Sequence, residues 1–531
     1  MLRRTVSLVS LLFAATTLFG QTAQASFRIS GKTVNALNGE PLARIEVSIG
    51  KAEDFNATLA KVLTEDDGAF TFSALAPGKY WMAAERNGYK RQGYEQHGGY
   101  LSAVAVGPTI ASDNVIFRLR PDASITGSVV DEENEPVQNA SIHLFRADSR
   151  GGFRQTFLAE QVVTDDRGVY RFAHLEAGWY LIAVAAQPWF NPLVQAAEGG
   201  DIAPADKAML DIVYPITFYP GVTDPASAKQ IVLNEGEAFT ADFTLTAVPG
   251  LRLRLNHLNS DPEHPRGANL VQRVFGTQIA VPSQRVTQVD DSIEIHGIAP
   301  GSYVLNVESG GPRSAHPMAL NIAGDMDFGP DDGSEPPVIR GSIKMEGGLN
   351  LQPQAFVRLW SNRTHEFLDA QINNGDFSFD PVLVAPGNYF VFVASGLYST
   401  ISKMSATGAK IVGQSVQITG APIELNIELC NVTSRINGTV LRNGKPFPGA
   451  MILLVPEDSE NNLPLFRRDQ SDSDGTFSLL EVVPGRYRIL AMDDGWDIEW
   501  ADASLLKTRL DRSESIEVGP SKTYQRVLTL E

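Results

Sequence analysis

Histidine and serine patterns are the first place to look for catalytic chemistry. The chain has eight histidines, and none forms the His-Glu-x-x-His spacing that places two zinc ligands on one helix face. The Gly-x-Ser-x-Gly turn that exposes a nucleophilic serine is absent as well. His257 and His264 share a polar loop with Asp261 and Glu263, an arrangement that is more typical of a solvated loop than of a metal site. The sequence therefore predicts no catalytic residue, no metal site and no cofactor.

Three acidic turns offer oxygen ligands that a calcium ion would accept. They are residues 65–68, 165–168 and 472–475, each ending in Gly. A complete calcium loop needs six or more oxygens, including a bidentate carboxylate, and none of the three has that spacing. Asp is also a natural turn residue, because its carboxylate accepts hydrogen bonds from the backbone two residues on. A structural turn is the favoured interpretation, and calcium binding is the alternative.

Aromatic residues in presumed loops are the candidates for ligand binding. Sugar rings stack on Trp and Tyr, whose faces are apolar and whose edges are polar. Ordinary packing in a core or a loop is the alternative role for the same residues. The candidate carbohydrate-binding residues are Trp189, Trp496, Trp500, Tyr94 and Tyr100.

Composition limits the class of protein. The chain has 531 residues, a formal net charge of −18 and 43% hydrophobic residues, which is too apolar for a disordered chain. Its negative charge disfavours binding to nucleic acid, because the phosphates would be repelled. Cys430 is the single cysteine, which excludes an intramolecular disulfide framework.

The N-terminus has the pattern of a secretory signal peptide. Arg3 and Arg4 precede an apolar run from Val6 to Phe19, and Ala23-Gln-Ala25 supplies small residues for cleavage. The apolar run has about 14 residues, short of the roughly 20 that a membrane-spanning helix needs. We expect residues 1–25 to be removed, leaving an exported chain in the periplasm, on the outer surface or secreted, with no transmembrane segment.

One phrase recurs along the rest of the chain. A strand with Gly-x-Val is followed by a hairpin, then Asp-x-Gly-x-Phe-x-Phe, then Leu-x-Pro-Gly-x-Tyr and an alternating strand. Alternating apolar residues are the signature of a strand with one buried face. Pro-Gly favours a type II turn, since Gly accepts the positive φ of its third position. The equivalent tyrosines are Tyr80, Tyr180, Tyr303, Tyr389 and Tyr487, and we expect each ring to be buried.

Five copies of this phrase predict a tandem array of about five antiparallel β-sandwiches. Each copy spans about 100 residues, which is the usual size of an immunoglobulin-like sandwich. The third copy is divergent, and the second carries a long insertion at 187–220. The predicted domains are 26–120, 121–248, 249–336, 337–432 and 433–531.

At these residues the chain resembles the carboxypeptidase regulatory-like domain family. The phrase is clear in the first, second and fifth copies, for example at Asp67-Gly-Ala-Phe70 and Pro77-Gly-Lys-Tyr80. The resemblance implies small transthyretin-like or Ig-like sandwiches, often in tandem in secreted bacterial proteins, and related to collagen-adhesin B-type repeats and the carbohydrate-binding-like fold. It implies nothing about peptidase activity, because the phrase encodes turns and core rather than a site.

These patterns favour a non-enzymatic protein. The first expectation is a structural, adhesion or interaction scaffold at the bacterial cell envelope. The alternative is a carbohydrate-binding surface protein that uses its aromatic loops, and an enzyme with an unrecognised site is the weakest of the three. Partner identity stays open between glycans and envelope proteins.

Overall fold

A computed structural model describes most of the protein after its first 25 residues. The structure describes residues 26–530 apart from 111, 150–151, 190–210, 257–266, 309–314, 330–337, 346–350, 352–353, 364–366, 374, 395–399, 494 and 512. The expected signal peptide, most of the 187–220 insertion and the His257–His264 loop lie outside the described residues.

The strands of the first two domains run from Phe27 to Pro249. In domain 1 they are β1 (Phe27–Asn35), β2 (Glu46–Lys51), β3 (Ala60–Leu63), β4 (Ala69–Leu75), β5 (Gly78–Arg86), β6 (Tyr89–Gly93), β7 (Val104–Val106) and β8 (Val115–Leu119). In domain 2 they are β9 (Ala123–Val130), β10 (Ser141–Asp148), β11 (Gln155–Val163), β12 (Val169–Leu175), β13 (Gly178–Ala185), β14 (Ile212–Val213), β15 (Thr217–Phe218), β16 (Ile231–Leu233), β17 (Ala238–Thr240), β18 (Phe243–Thr244) and β19 (Val248–Pro249). A 3-10 turn covers Pro225–Ser227.

Domains 3 and 4 each again form two sheets and add strands at the sheet edges. Domain 3 has β20 (Leu251–Leu255), β21 (Gly267–Val274), β22 (Thr277–Ala280), β23 (Arg285–Val289), β24 (Ser292–Ile298), β25 (Gly301–Glu308), β26 (Ala315–Ile322) and β27 (Met326–Phe328). Domain 4 has β28 (Val338–Met345), β29 (Phe356–Ser361), β30 (Phe367–Gln371), β31 (Ser378–Leu383), β32 (Gly387–Ala394), β33 (Thr400–Thr407), β34 (Ala409–Val412), β35 (Ser415–Ile418) and β36 (Ile423–Cys430).

Domain 5 completes the described chain and includes a helix. Its strands are β37 (Ser434–Arg442), β38 (Lys445–Pro446), β39 (Met451–Pro456), β40 (Arg467–Gln470), β41 (Thr476–Val482), β42 (Gly485–Met492), β43 (Glu514–Val518) and β44 (Thr523–Leu530). Short 3-10 turns cover Leu463–Leu465 and Gly495–Asp497. The α-helix α1 (Ala503–Leu510) begins at Asp502, whose side chain accepts a hydrogen bond from the Ser504 backbone. None of the described helices is long and apolar enough to cross a membrane.

Each domain is a sandwich of two sheets around its own apolar core. In domain 1 one sheet has the order β4-β1-β8, and the other contains β3-β2-β5-β6 with β7 also paired to β5. The first and last strands of domains 1, 3, 4 and 5 pair in parallel. In domain 2 the first strand β9 pairs in parallel with β17 and β18, while β19 pairs with β14. Most other neighbouring strands pair antiparallel. Alternating burial along β9 and β36 shows the predicted strand period, with one face of each strand in the core. The fold is therefore a tandem array of β-sandwiches.

The repeated tyrosines occupy equivalent positions in all five domains. Each ring is at most 5% exposed. Each hydroxyl donates a hydrogen bond to the backbone carbonyl four residues earlier: Tyr80 to Ala76, Tyr180 to Glu176, Tyr303 to Ala299, Tyr389 to Ala385 and Tyr487 to Val483. The buried hydroxyl is thereby satisfied, and the turn before the strand is tied to the core.

The glycine of the first strand is required by the strand beside it. A Cβ built on Gly31 would lie 1.9 Å from the carbonyl oxygen of Val115 in β8, and one on Gly341 would lie 1.7 Å from that of Leu425 in β36. No real side chain tolerates such a distance. The glycine of the first strand in the repeated phrase therefore marks the place where the last strand approaches the first most closely.

The Pro-Gly turns differ from the predicted type II geometry. Gly78 and Gly178 have φ of 149° and 156°, far from the roughly +80° of a type II turn. These glycines instead begin β5 and β13. A Cβ on Gly485 would lie 3.3 Å from the Tyr487 ring, so in domain 5 the glycine also leaves room for the tyrosine two residues on.

The five domains fold back on one another. Between domains 2 and 3, Phe145 and Phe218 pack edge-on against Phe275. Domain 5 shares one apolar cluster with Trp360 and Phe390 of domain 4 and with Phe153 of domain 2. It also hydrogen-bonds to domain 1, so the two ends of the described chain meet.

Candidate functional site

The contact between domains 1 and 5 is polar and specific. Ala103 donates its backbone N–H to Asp472 Oδ1, and Ala105 donates to Ser473 Oγ, both at 2.8 Å. In return the Ser473 N–H donates to the Ala103 carbonyl at 2.9 Å. Ser102 Oγ donates to the Ser471 carbonyl at 2.8 Å. The turn 471–474 of domain 5 thus provides hydrogen-bond partners for backbone groups along the open edge of β7 in domain 1.

A lysine provides the charge in this contact. Lys79 Nζ hydrogen-bonds to Asp472 Oδ2 and Thr476 Oγ1 and lies 3.5 Å from Asp474 Oδ1. Burial raises the pKa of Asp472, and the Lys79 ammonium opposes that rise. Removal of the ammonium would leave the carboxylate desolvated without its counter-charge.

Asp469 is a second buried carboxyl beside this contact. Burial, together with the nearby Asp472, raises its pKa to about 6, while backbone donors at Ser478 and Gln470 act in the opposite direction. Its Oδ2 accepts a hydrogen bond of 2.6 Å from the Ser478 N–H. Domain 5 therefore holds a group that changes charge in the mildly acidic range.

The other acidic turns are occupied by protein groups. Asp67 accepts hydrogen bonds from Lys32 and from the Ala69 N–H, at 2.8 and 3.0 Å. Asp165 accepts from the N–H groups of Arg167 and Val169. These contacts are those of structural turns, and within the described residues no cluster of three or more His, Cys, Asp or Glu side chains has a metal-binding arrangement.

The five candidate aromatic residues lie in different environments. Tyr94 packs edge-on against Phe117, and burial raises its pKa to about 12. Trp500 is 7% exposed in the cluster shared by domains 4 and 5. Trp189 is 77% exposed. Tyr100 and Trp496 come together across the contact between domains 1 and 5, with ring centroids 5.4 Å apart.

Trp496 is held on two sides. Its ring stacks on His97 of domain 1 at 5.0 Å, with an interplanar angle of 8°. Its Nε1 donates to the Gly449 carbonyl at 3.1 Å. His97 in turn lies 3.1 Å from Gln470 Oε1. Of the five aromatic residues, Tyr100 and Trp496 thus lie together at the margin of a cleft.

That cleft has a volume of about 800 Å³ and is formed by domains 1, 2 and 5. Domain 1 contributes its 90–100 loop and the residues around Arg118, domain 2 contributes the ends of β10 and β13, and domain 5 contributes Arg468 and Trp496. No sequence motif indicates the arginines of the cleft, because they come from three domains. The end-to-end packing of the array brings them together.

Comparison with known protein families gives two matches in the first part of the chain. The sequence profile of the carboxypeptidase regulatory-like domain matches residues 28–106 and 124–206. No functionally curated protein matches the chain.

Several solved structures are similar to the chain at a low level. The TIE protein of Bacillus anthracis is 12% identical, with 96% of this chain and 75% of that chain covered and a TM-score of 0.17. A streptococcal ancillary pilin is 12% identical, with 57% and 98% covered and a TM-score of 0.20. BcpA, the major pilin subunit of Bacillus cereus, is 9% identical, with 77% and 100% covered and a TM-score of 0.14. Similarities of this size carry no information about function.

The matched residues contain the repeated phrase and the buried tyrosines Tyr80 and Tyr180. Residues 28–106 and 124–206 therefore match the carboxypeptidase regulatory-like domain family twice in tandem, within a longer β-sandwich array.

Proposed function

We propose that the chain is an exported, non-catalytic interaction scaffold of the bacterial cell envelope. The observation that carries the proposal is the polar contact between domains 1 and 5. It fixes the array as one body with defined outer surfaces, whereas a spacer would keep its ends apart. The Asp-rich turns, which have the most obvious binding chemistry in the sequence, serve backbone and interdomain contacts.

Cell fractionation tests the export part of this proposal. We expect to find the chain in the envelope or the medium. Its intact mass should be that of a chain whose first residue is Ser26. A chain that stays in the cytoplasm and retains residues 1–25 would overturn the proposal.

Crosslinking in living cells tests the scaffold part. A photo-reactive amino acid at Leu63, whose side chain is 66% exposed, should give a crosslinked product of discrete mass that contains an envelope protein. The buried Val47 is the matched control position, where no intermolecular product is expected. Failure of crosslinking at every exposed position tried, with export intact, would argue against a scaffold.

Carbohydrate binding is the second candidate function. It is supported by the meeting of Tyr100 and Trp496 at the margin of the cleft, since aromatic rings beside charged hydrogen-bonding groups suit a sugar. A scaffold that holds an envelope glycan would combine the two candidates.

A further inference from the structure

The cleft between domains 1, 2 and 5 has a charge opposite to that of the chain. Seven lysine and arginine residues line it, against five aspartate and glutamate residues. The whole chain carries a net charge of −18. Five of the cations are exposed, namely Lys90, Arg91, Arg118, Arg120 and Arg154. A concave surface of one sign concentrates ligands of the other sign.

Four of the five acidic residues of the cleft contact cationic or N–H groups of the protein itself. Arg146 lies 2.5 Å from Glu176 and 3.7 Å from Asp148, and Arg120 lies 3.2 Å from Glu235. The Asp122 carboxylate accepts a hydrogen bond from the backbone N–H of Lys90 and lies 2.6 Å from His174 Nδ1. These four acids are therefore occupied, and the excess positive charge of the cleft faces the solvent.

Two cations carry most of that excess. Within the described residues, no carboxylate lies within 4 Å of the charged end of Lys90 or Arg154. Glu95 is 4.0 Å from Arg118, a weak contact at a mostly exposed arginine. The deeper Arg146 also has a buried Nε with no hydrogen-bond acceptor. A guanidinium group that lacks a close carboxylate partner is well suited to bind a planar carboxylate, which it holds through two parallel hydrogen bonds.

Aromatic rings border these cations. The Arg154 guanidinium lies over Trp179 of domain 2, 3.4 Å from the ring centroid. Tyr100 lies on the domain 1 side, with Arg468 of domain 5 at 5.2 Å from its ring centroid. A volume of about 800 Å³ falls in the range of pockets that hold small ligands, and it accommodates a short oligosaccharide.

We propose that this cleft binds an acidic oligosaccharide, whose uronate carboxylates pair with Arg118, Arg154 and Lys90 while its sugar rings lie against Trp179 and Tyr100. The proposal deepens the carbohydrate-binding candidate and depends on the closed arrangement of the domains, because three domains build the cleft. The combination of arginines with aromatic rings favours an acidic sugar over a plain polyanion, which needs no ring contacts.

The test is calorimetric titration of residues 26–531 with hexagalacturonate. We expect one binding site, an affinity that falls as salt rises from 20 to 300 mM, and no binding of the neutral maltohexaose. The double variant Arg118→Glu/Arg154→Glu should bind at least tenfold more weakly. Arg167→Glu is the matched control, because Arg167 is an exposed arginine of domain 2 outside the cleft, and it should bind as the parent does.

Three outcomes would overturn the proposal. They are a folded chain that ignores hexagalacturonate, equal affinity in the double variant, and a hexaglutamate peptide that binds as tightly with the same sensitivity to the variant. X-ray scattering of each sample separates this failure from that of the closed scaffold. An extended chain would contradict both the closed scaffold and the cleft proposal. A compact chain that does not bind hexagalacturonate would contradict only the cleft proposal.

Discussion

At the scale of single residues, the repeated tyrosine combines apolar burial with one hydrogen bond. The ring fills the core between the two sheets, and the hydroxyl reaches the carbonyl four residues earlier in every domain. The buried ring contributes more to the free energy of unfolding than the neutral hydrogen bond does. Substitutions can separate them.

Tyr487 provides the test of that separation. Tyr487→Phe keeps the ring and removes the donor to Val483, so we expect a loss of about 1 kcal/mol in the stability of domain 5. Tyr487→Ala also removes the ring and should cost about 3–5 kcal/mol. Urea unfolding followed by hydrogen exchange in domain 5 measures both, and equal effects of the two variants would contradict the assignment.

Asp469 should make the stability of domain 5 depend on pH. Its pKa is raised to about 6 in the folded chain, so its contribution to stability is present below the unfolded pKa of about 3.9 and is lost as pH rises through about 6. Asp469→Asn should therefore stabilise domain 5 at pH 8 by up to about 3 kcal/mol and have little effect at pH 4.

Thermal unfolding across pH 4 to 8 measures this difference. The exposed Asp66→Asn removes the same charge and serves as the control, with no pH-dependent gain expected. A gain from Asp469→Asn that is the same at pH 4 and pH 8 would refute the role of the carboxyl.

At the scale of elements, domains 1, 3, 4 and 5 depend on the pairing of their first and last strands. That pairing is parallel and joins the two ends of a domain, as in β1 with β8 and β37 with β44. In domain 1 the last strand passes within 1.9 Å of where a Gly31 side chain would begin. Gly31 therefore controls the closure of its domain.

Gly31→Ala tests this control. Because the added methyl group would meet the Val115 carbonyl, we expect β8 to shift and domain 1 to lose about 3 kcal/mol. Gly107→Ala is the control in the same domain, since a Cβ there meets nothing within 4 Å. Hydrogen exchange of β8 reports the result, and unchanged protection in Gly31→Ala would contradict it.

At the scale of the whole molecule, domain 5 holds the array closed. It contacts domains 1, 2 and 4, and its contact with domain 1 combines a few hydrogen bonds and the Lys79 charge with the packing of Trp496 against His97 and Tyr100. A compact chain of this length has a radius of gyration of about 23 Å, and an end-to-end rod would have roughly twice that value or more. Scattering in solution therefore distinguishes the two arrangements.

Lys79→Ala should open the array. It leaves Asp472 desolvated and unpaired, which weakens the contact by about 2 kcal/mol or more and raises the radius of gyration. Lys61→Ala removes a lysine that pairs with Glu46 on the surface of the same domain, and it should leave the radius unchanged. The same radius in both variants would show that Lys79 does not hold the closure.

Local signals in the sequence predicted the domains but not their packing. Alternation, Gly-x-Val and Gly-x-Tyr act within about 100 residues, so the sandwich fold and the positions of the tyrosines follow from them. The contact of Lys79 with Asp472 spans 393 residues and has no motif, since it depends on the relative placement of whole domains. The helix α1 was missed as well, because its eight residues lack a strong amphipathic pattern.

The same limit applies to the candidate site. Loop position suggested exposure for Tyr94 and Trp500, but apolar surface tends to be covered wherever a neighbouring element can reach it. Phe117 covers Tyr94 within domain 1, and the cluster between domains 4 and 5 covers Trp500. The arginines of the cleft, spread over three domains, gave no signal in the sequence.

The distance along the chain between the partners of the closing contact has a consequence for biogenesis. Translation at 5–20 residues per second separates the emergence of Lys79 from that of Asp472 by about 20–80 seconds. During that interval the N–H groups of Ala103 and Ala105 in domain 1 lack the acceptors that domain 5 later provides. An open strand edge recruits other strands. Nascent chains should therefore be prone to pairing through β7 until domain 5 is made, and a chaperone that covers this edge would protect them.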